Sequence, residues 1–413
     1  MAIELIPTDY FSGQANIAED PDSDRELADL IRELQAASNE ALLMSEAQGS
    51  RVRYVDGGRT DTYVQDGTED RPFKAIQDAI DSITDQSNTK KYVVRVKPGI
   101  YAENVVLKRH VYLIGTAMFG ACRDVRIRPA SGVALSVPYR DSFFNGLFMQ
   151  TDSAVPAEAA LRVFDDGGGM GDHETFMFNF QAYSTDAGHA VYVEENPFGE
   201  AAICIYAAFD GGPNGHAVYM DGNSAGGGGG CGLIWFLGGG GGQKNFAKLL
   251  NGAFFMTGGE VGINADTVDP TVWCVECDGS FFVSLGNMID GHNGIDLKNG
   301  ATAFLVNLTA LGGFPGIPIR TAAGTVLVVG NVSFGPGLPP WSGWQVAGNV
   351  VLGDTRSGTT GAGGPDQRPT VTSTSVPPGL QFFALDVALA GVPGTWLTWN
   401  GAQWVDSNGG VVP

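Results

Sequence analysis

The sequence is poor in charged residues, in basic residues above all, and in cysteine. Only 17% of the 413 residues are charged, and 24 Lys and Arg oppose 45 Asp and Glu, which gives a net charge of −21. Such a chain repels phosphate backbones and anionic lipid, so direct nucleic-acid binding is not expected. Five Cys are too few for a disulfide framework in a chain of this length.

Long apolar runs and metal-ligand patterns are also scarce. No apolar stretch reaches the length of a membrane span, so membrane insertion is not expected. The first residues, Met-Ala-Ile-Glu-Leu-Ile-Pro, lack a basic segment followed by an apolar run, which predicts synthesis in the cytoplasm without a signal peptide. Cys274 and Cys277 have the spacing of half a zinc site, but no second pair accompanies them, so neither metal nor other cofactor is predicted.

Glycine is abundant, with 60 residues in a chain that is 43% apolar. That apolar content suffices for a core and excludes a disordered acidic chain. The runs at residues 226–230 and 238–242 lack the Lys-Ser/Thr of a phosphate loop, so they predict coil corners and not a nucleotide site.

One segment occurs twice in the middle of the chain. Residues 188–193 read Gly-His-Ala-Val-Tyr-Val, and residues 215–220 read Gly-His-Ala-Val-Tyr-Met. The same separation divides Cys204 from Cys231. Alternation of small or apolar residues at period two, broken by Gly and Asn, indicates short strands, and a fixed period indicates stacked units. The repeat therefore predicts a parallel β-solenoid in which Cys204 lies over Cys231 as a buried thiol.

Other segments fit the same repeat, and the interval 92–352 should hold about ten coils. Side chains of one parity should face inward, namely Leu161, Val163, Val191, Val193, Val218, Met220, Ala247, Leu249, Ile295 and Leu297. A second, Phe-rich set of strands predicts stacked aromatic rings in the core. Turn residues at similar intervals predict an Asn ladder, namely Asn196, Asn223, Asn251, Asp278 and Asn299.

The segments at both ends of the predicted solenoid resemble segments of known protein families. A short helix with Phe73, Ile76, Ala79, Ile80 and Ile83 on one face precedes Val-Arg-Val-Lys-Pro-Gly-Ile-Tyr-Ala-Glu at residues 94–103. This order resembles the entry into right-handed β-helices of the pectin-lyase and pectinesterase type, and it implies the cap of that fold. The downstream catalytic segments of the pectinesterases are not matched, which argues against esterase activity.

The C-terminal segment is of a different kind. A Phe-Asp strand is followed by Trp396-Leu-Thr-Trp-Asn-Gly-Ala-Gln-Trp404, in which Asn400-Gly401 predicts a type I′ hairpin. This ending resembles a small module of phage tail and fibre proteins, although Ala384-Leu385 and the loop at residues 391–394 depart from its usual form. The resemblance implies a virion protein.

The N-terminal residues form a separate leader. Apolar residues recur at spacings of three and four, as in a coiled-coil seam, at Leu27, Leu30, Leu34, Ala37, Ala41 and Met44. The seam is short, so a single amphipathic helix lying on the body or on a neighbouring protein is an equal alternative. We expect four regions: a helical attachment segment (1–50), a parallel β-helix (51–335), a Pro/Gly-rich linker or irregular subdomain (336–378) and a β-hairpin module (379–413).

Candidate site residues lie on the outward side of the repeated strands. Tyr192, Glu194, Tyr219 and Asp221 should face outward, with the two carboxylates in adjacent coils. The tyrosines, with Trp396, Trp399 and Trp404, are glycan-binding candidates, and Glu194 and Asp221 are the candidate acids if the protein is an enzyme. An outward face that is hydrated or packed on another subunit explains the same residues.

Two further clusters have structural interpretations. His189 and His216 occupy equivalent positions and should stack as neutral hydrogen-bonding rings. Asp290, His292 and Asp296 fit a turn rich in Gly, Asn and Asp.

The sequence as a whole predicts an all-β, right-handed parallel β-helix. The most economical function is a homotrimeric structural virion protein of a bacteriophage, a tail spike, tail fibre or head fibre on the particle surface. It would dock on other virion proteins through residues 1–50 and display the β-helix to host polysaccharide. The alternatives are a polysaccharide depolymerase and a non-adhesive capsid decoration protein.

Overall fold

The computed structural model describes residues 51–352 with short gaps, and three strands near the end of the chain. The gaps are residues 116–121, 156–157, 168–174, 199, 224–228, 243, 259, 263–270, 286–287, 291, 307–309, 312–315 and 331–344. The chain divides into two units, residues 1–51 and 52–413. The predicted leader, with its seam from Leu27 to Met44, lies outside the described residues.

Short strands make up most of the described chain, with one α-helix, α1 (Ile76–Asp81), and one 3-10 turn (Cys122–Asp124). The first fifteen strands are β1 (Val52–Val55), β2 (Tyr92–Val96), β3 (Gly99–Tyr101), β4 (Val105–Val106), β5 (Val111–Gly115), β6 (Val125–Ile127), β7 (Leu135–Pro138), β8 (Phe143–Thr151), β9 (Ala159–Phe164), β10 (Phe176–Ser184), β11 (His189–Val193), β12 (Ala201–Gly211), β13 (Val218–Asp221), β14 (Cys231–Gly242) and β15 (Ala247–Leu250). The others are β16 (Ala253–Thr257), β17 (Glu260–Gly262), β18 (Trp273–Asp278), β19 (Phe281–Leu285), β20 (Met288–Asp290), β21 (Asn293–Lys298), β22 (Thr302–Val306), β23 (Ala310–Leu311), β24 (Ile319–Thr321), β25 (Val326–Gly330), β26 (Gln345–Val346), β27 (Asn349–Leu352), β28 (Gln381–Ala384), β29 (Thr395–Trp399) and β30 (Trp404–Asp406). Within the described residues, no helix is long and apolar enough to span a membrane.

Successive strands pair in parallel from one coil to the next, which makes the body a parallel β-helix. Each coil has three faces. The first and second faces belong to one 20-stranded sheet, and the third face is a ten-stranded sheet made of β4, β7, β9, β11, β13, β15, β18, β21, β24 and β26. Strands β8, β10, β12 and β14 run through the first two faces. The predicted all-β parallel β-helix is confirmed, and the ten strands of the third face agree with about ten expected coils.

One continuous core fills the inside of the coils. Every residue of the predicted inward set is fully buried. The predicted aromatic stack is also present: Phe144, Phe180, Phe209, Trp235 and Phe246 follow one another with ring centroids 4.9, 5.8, 4.8 and 5.8 Å apart. These rings are not in register, since Phe144 pairs with Met177 and Phe180 with Ala207, so the rings meet diagonally across the core. Phe255 and Phe282 are in register, with ring centroids 5.9 Å apart.

The first coil is covered by α1, whose buried side chains Ile76, Ala79 and Ile80 confirm the predicted helix face. The Glu103 carboxylate accepts hydrogen bonds from the backbone N–H groups of Ile76 and Gln77, at 2.8 and 2.9 Å. Those N–H groups have no partner inside the helix, and the carboxylate satisfies them. The Glu that ends the Pro-Gly-x-Tyr-x-Glu motif therefore positions the cap of the solenoid.

The coil corners are columns of left-handed backbone. Where β8, β10, β12 and β14 bend between the first and second faces, four in-register residues have positive φ: Gly146 (73°), Asn179 (48°), Tyr206 (54°) and Leu237 (56°). At the end of the third face, Asn251 and Asn299 do the same and donate to carboxylates of the preceding coils, Asp221 (2.9 Å) and Asp278 (2.7 Å). The predicted Asn ladder is therefore an Asn-to-Asp ladder at these corners.

The coil length varies, and one predicted contact is wrong for that reason. Strands β11 and β13 pair at the offset of the repeat, with Val191 opposite Val218, but β12 and β14 pair at a longer offset. Cys204 consequently lies opposite Trp235 and not Cys231. The additional residues fall between β13 and β14, in the segment that contains the glycine run at 226–230. Both thiols are buried.

The far end of the solenoid passes the expected domain boundary at residue 335 but stays within the interval 92–352 that was expected to hold the coils. Strands β26 and β27 continue the third and first faces past residue 335, into the segment assigned to a linker. Strand β28 then pairs in parallel with β27, and β28, β29 and β30 form an antiparallel meander. Trp399 pairs with Trp404, and the type I′ turn predicted at Asn400-Gly401 lies outside the described residues.

Candidate functional site

The outward side of the third face carries one in-register row that is mostly charged or aromatic. Consecutive pairings place its members one above another: Ser136, Arg162, Tyr192, Tyr219, Lys248, Glu276, Asp296, Arg320 and Gln345. We call this set the polar row. Because parallel strands stack at about 4.8 Å, each of these side chains lies next to the ones before and after it.

The two predicted tyrosines form the aromatic centre of the polar row. Tyr192 and Tyr219 lie in register with ring centroids 5.5 Å apart, and both are half-buried. The Tyr219 ring lies parallel to the His189 imidazole, at 4.6 Å and an interplanar angle of 3°. The strand positions of the tyrosines are set by the repeat, and the packed imidazole restricts the Tyr219 rotamer.

The predicted histidine stack is present beside these rings. The His189 and His216 rings are 5.2 Å apart at 27°. The backbone N–H of His216 donates to His189 Nδ1 at 3.1 Å, and His216 Nδ1 lies 3.3 Å from the carbonyl oxygen of Asn245. Burial lowers the pKa of His189 to about 3 and that of His216 to about 4. Both rings are therefore neutral at physiological pH, and they position the tyrosines.

The two candidate acids have separate partners. Both carboxylate oxygens of Glu194 accept from the Arg162 guanidinium, at 2.7 and 2.8 Å. Asp221 Oδ1 accepts from the Asn251 side chain at 2.9 Å and from the Asn223 backbone N–H at 3.1 Å. Glu194 is therefore held in a bidentate ion pair, and Asp221 is held by hydrogen bonds at a coil corner. The two carboxylates do not share a proton.

A network of ion pairs, which sequence reasoning missed, follows the tyrosines along the polar row. Glu276 accepts from Lys298 at 2.9 Å and lies 3.6 Å from Lys248. Lys298 also lies 2.9 Å from Asp296, and Arg320 binds the same carboxylate through Nε at 2.7 Å. Burial alone would raise the pKa of Glu276, but the hydrogen bond and charge of Lys298 and the charge of Lys248 outweigh it, so that pKa is lowered.

The side chain of Asp296 is only 1% exposed, and the Arg320 guanidinium lies 4.4 Å from the centre of the Trp273 ring. The turn predicted for Asp290, His292 and Asp296 is wrong for Asp296, which lies within β21. Asp290 ends β20 on a different face. The coils here are shorter than the repeat that the histidines define, so that repeat does not align Asp296 with Arg320.

The remaining candidates lie outside the polar row. The structure places Trp396 opposite Phe383 and Trp399 opposite Trp404, and their side chains lie outside the described residues. Cys274 and Cys277 are buried thiols, and burial raises the pKa of Cys277 to about 12. No group of three or more His, Cys, Asp or Glu within the described part of the chain is arranged to hold a metal.

Comparisons with known proteins yield distant similarities. No family model matches the chain. A stretch of 60 residues, 14% of the chain, is 37% identical to a probable pectinesterase/pectinesterase inhibitor of Arabidopsis thaliana, and it spans 10% of that protein.

Among solved structures, the similar chains have low sequence identity. The ORF18 protein of Geobacillus virus E2 is 11% identical, with a TM-score of 0.45 over 78% of this chain and 64% of that one. Tailspike protein 2 of the Escherichia coli O157:H7 bacteriophage CAB120 is 11% identical, with a TM-score of 0.42 over 67% and 40%. Pectin methylesterase from carrot is 13% identical, with a TM-score of 0.37 over 75% and 83%. These similarities do not bear on activity or assembly.

Proposed function

We propose that the chain is a structural virion protein of a bacteriophage, a homotrimeric tail spike, tail fibre or head fibre that binds host-surface glycan through the third face of its β-helix. Residues 1–50 dock it on other virion proteins. The observation that carries the glycan-binding proposal is the in-register Tyr192–Tyr219 pair, whose ring centroids are 5.5 Å apart, with a cation in the next coil on either side, Arg162 and Lys248. The C-terminal sequence resemblance to phage fibre proteins supports the virion assignment.

The geometry of the tyrosine pair suits a saccharide. An aromatic ring offers a flat apolar surface to the C–H face of a sugar, and its hydroxyl supplies a hydrogen bond. The Arg162 guanidinium carries five N–H groups, of which Glu194 accepts from two, so Arg162 has further donors that, with the Lys248 ammonium, suit the carboxylates of acidic surface polysaccharides. Because all four residues stand on strands of one sheet, their spacing is fixed before binding, which lowers the entropic cost.

Binding of purified host capsule or lipopolysaccharide, measured by calorimetry, tests the proposal. Tyr192→Ala with Tyr219→Ala should weaken binding about 30-fold or more, since removal of a central aromatic contact costs about 2 kcal/mol or more. Tyr112→Ala is the matched control, because Tyr112 is a half-buried outward tyrosine on the first face. Equal loss in both variants, or no binding by the wild-type protein, would contradict the glycan site.

The same preparations distinguish binding from cleavage. Because Glu194 is engaged by Arg162 and Asp221 by Asn251, we expect neither new reducing ends nor an unsaturated-uronate absorbance. Turnover that Glu194→Gln with Asp221→Asn abolishes would instead establish a polysaccharide depolymerase. Absence of binding on a glycan array, together with location of the chain on the capsid, would establish a decoration protein.

Docking through residues 1–50 has its own test. A chain that lacks these residues should fold but fail to enter phage particles, as measured by immunoblot of purified virions. Wild-type incorporation of the shortened chain would assign docking to another region.

A further inference from the structure

The outward side of the first face carries an apolar row as long as the polar row. Nine in-register positions on consecutive strands are apolar or aromatic, and all are half-buried: Tyr112, Phe143, Phe176, Ile203, Ile234, Met256, Val283, Phe304 and Val328. On one side of this row, the Phe254 and Phe281 rings stack at 5.6 Å. We call the row and its outward neighbours on the same strands the apolar face.

No described outward position of the apolar face on these nine strands is charged. The flanking positions toward the bend are Ile114, Asn145, Phe178, Ile205, Phe236, Gly258, Leu285 and Val306. Nine strands at about 4.8 Å and three positions about 7 Å apart give about 40 by 20 Å, or about 800 Å². The largest apolar patch of a typical monomer is about 300–600 Å², and a stable protein interface takes about 800 Å² from each partner.

The corner beside this face adds an independent observation. Leu237 has φ 56° and is 37% exposed, and Tyr206 has φ 54° at the equivalent position. Glycine or asparagine stands at that corner in two other coils, as Gly146 and Asn179. A bulky residue is strained in left-handed backbone, and strain of this kind is concentrated at functional surfaces. Large apolar side chains therefore extend the face where small ones would fit the backbone better.

We propose that the apolar face is the surface through which copies of this chain associate side by side, with their helix axes parallel. A second copy has the same rise per coil, so every coil contributes an equivalent contact along the whole row. Two chains of net charge −21 repel each other. The apolar face, which carries no charge, is where they approach with the least repulsion. The polar row lies on the other sheet, so this inference does not depend on glycan binding.

Oxidation of Met256 in the wild-type full-length protein tests this surface directly. Met256 lies in the middle of the apolar row and is half-buried in the single chain. If copies cover the face, dilute peroxide should oxidise Met256 about tenfold more slowly at concentrations where the protein is oligomeric than after dilution to monomer, because the covered thioether loses contact with solvent. Mass spectrometry of the peptide that contains Met256 gives the rate, and light scattering gives the oligomeric state.

Charged substitutions on the apolar face, with a control on the third face, test which of the two faces associates. Ile203→Lys with Val328→Lys puts two charges into the apolar row without altering the strand of Met256 or its immediate neighbours. We expect the protection of Met256 to disappear and the dissociation constant for association to weaken on the order of 100-fold, since burying unpaired charges at an interface is costly. Leu250→Lys is the matched control, a half-buried outward aliphatic residue on the third face between Asp221 and Asp278, and it should change neither quantity.

Several outcomes would overturn the inference. One is a wild-type monomer at all concentrations, and another is equal oxidation of Met256 in oligomer and monomer. A monomer whose Met256 becomes reactive only when residues 1–50 are deleted would show that the chain's own leader covers the face. Loss of glycan binding in the Ile203→Lys, Val328→Lys variant with an intact, protected oligomer would assign the face to glycan.

Discussion

The first and third faces of this β-helix share a backbone geometry and one core, yet their outer surfaces are opposite. On the third face five of the nine positions in the polar row are charged, and each charge has a partner in the same or a neighbouring coil. On the first face the nine positions of the apolar row contain no charge. The same parallel backbone carries both kinds of surface, so the side chains alone decide what each face can contact.

Parallel stacking sets a rule that the third face satisfies. Each residue lies directly over its equivalent in the next coil, so like charges in neighbouring coils destabilise the stack unless a third group bridges them. Glu276 and Asp296 are such neighbours, and Lys298 bridges them at 2.9 Å to each. Charges that are paired on the third face are stable in contact with water. Covering the apolar first face, in contrast, lowers the free energy because apolar surface is removed from water.

The largest effect is expected where the third face holds a buried charge. Arg320→Met removes one of two cations from Asp296, whose side chain is 1% exposed. Loss of a partner from a buried carboxylate costs several kcal/mol, and because Lys298 remains we expect a loss of about 3 kcal/mol in the free energy of unfolding. Urea denaturation followed by circular dichroism measures it.

The matched control for this variant lies in the same row. Arg162→Met breaks the pair with Glu194, whose side chain is 23% exposed. Water solvates the released carboxylate there, so the expected loss is about 1 kcal/mol or less. Equal losses for the two arginines would show that burial of the carboxylate does not distinguish the two ends of the polar row.

A smaller, pH-dependent effect is expected from each of the two histidines beside the tyrosine pair. The pKa values of His189 and His216 are lowered to about 3 and about 4, chiefly by burial, from an ordinary value of 6.5. The unfolded chain therefore binds protons below pH 6.5 while the folded chain does not. Stability contributed by the neutral rings is nearly complete above pH 6.5 and falls as the pH drops towards the lowered pKa values, by about 2 kcal/mol for each ring at pH 5.

Denaturation curves at pH 7 and pH 5 measure this loss. His216→Gln should reduce the difference between the two pH values, because one titrating group is gone. Tyr192→Phe, which alters the same cluster without removing a histidine, should leave the difference unchanged. A His216→Gln protein with the full wild-type difference would assign the acid sensitivity to other groups.

The fold was predictable because the repeat specifies it locally. The Gly-His-Ala-Val-Tyr segments set the register of β11 on β13, and alternation within each strand set which side chains are buried. What the repeat did not specify was the length of each coil. Insertions at corners shift one face relative to another, so Val218 lies over Val191 as the repeat predicts while Cys204 meets Trp235.

The candidate site was predictable only in part. The in-register tyrosines and the stacked histidines follow from the exact repeat of the Gly-His-Ala-Val-Tyr segment. The partners of Glu194 and Asp296 do not, because the separations of Arg162 from Glu194 and of Arg320 from Asp296 differ from that repeat and from each other. Such contacts depend on irregular coil lengths and on side chains that reach diagonally, which a single sequence does not encode as a pattern.

A small effect on the stability of the single chain is expected on the first face, and it depends on association. The half-buried Phe281 ring lies between the rings of Phe254 and Phe304, with centroids 5.6 and 5.3 Å away. Phe281→Ala in the Ile203→Lys, Val328→Lys background, where the face is in water, should cost about 1 kcal/mol in the free energy of unfolding. In the otherwise wild-type chain the loss should be larger and should grow with protein concentration, because the ring is then also removed from an interface between copies. A loss that is the same in both backgrounds and at every concentration would show that the first face, like the third, is exposed to water in the working protein.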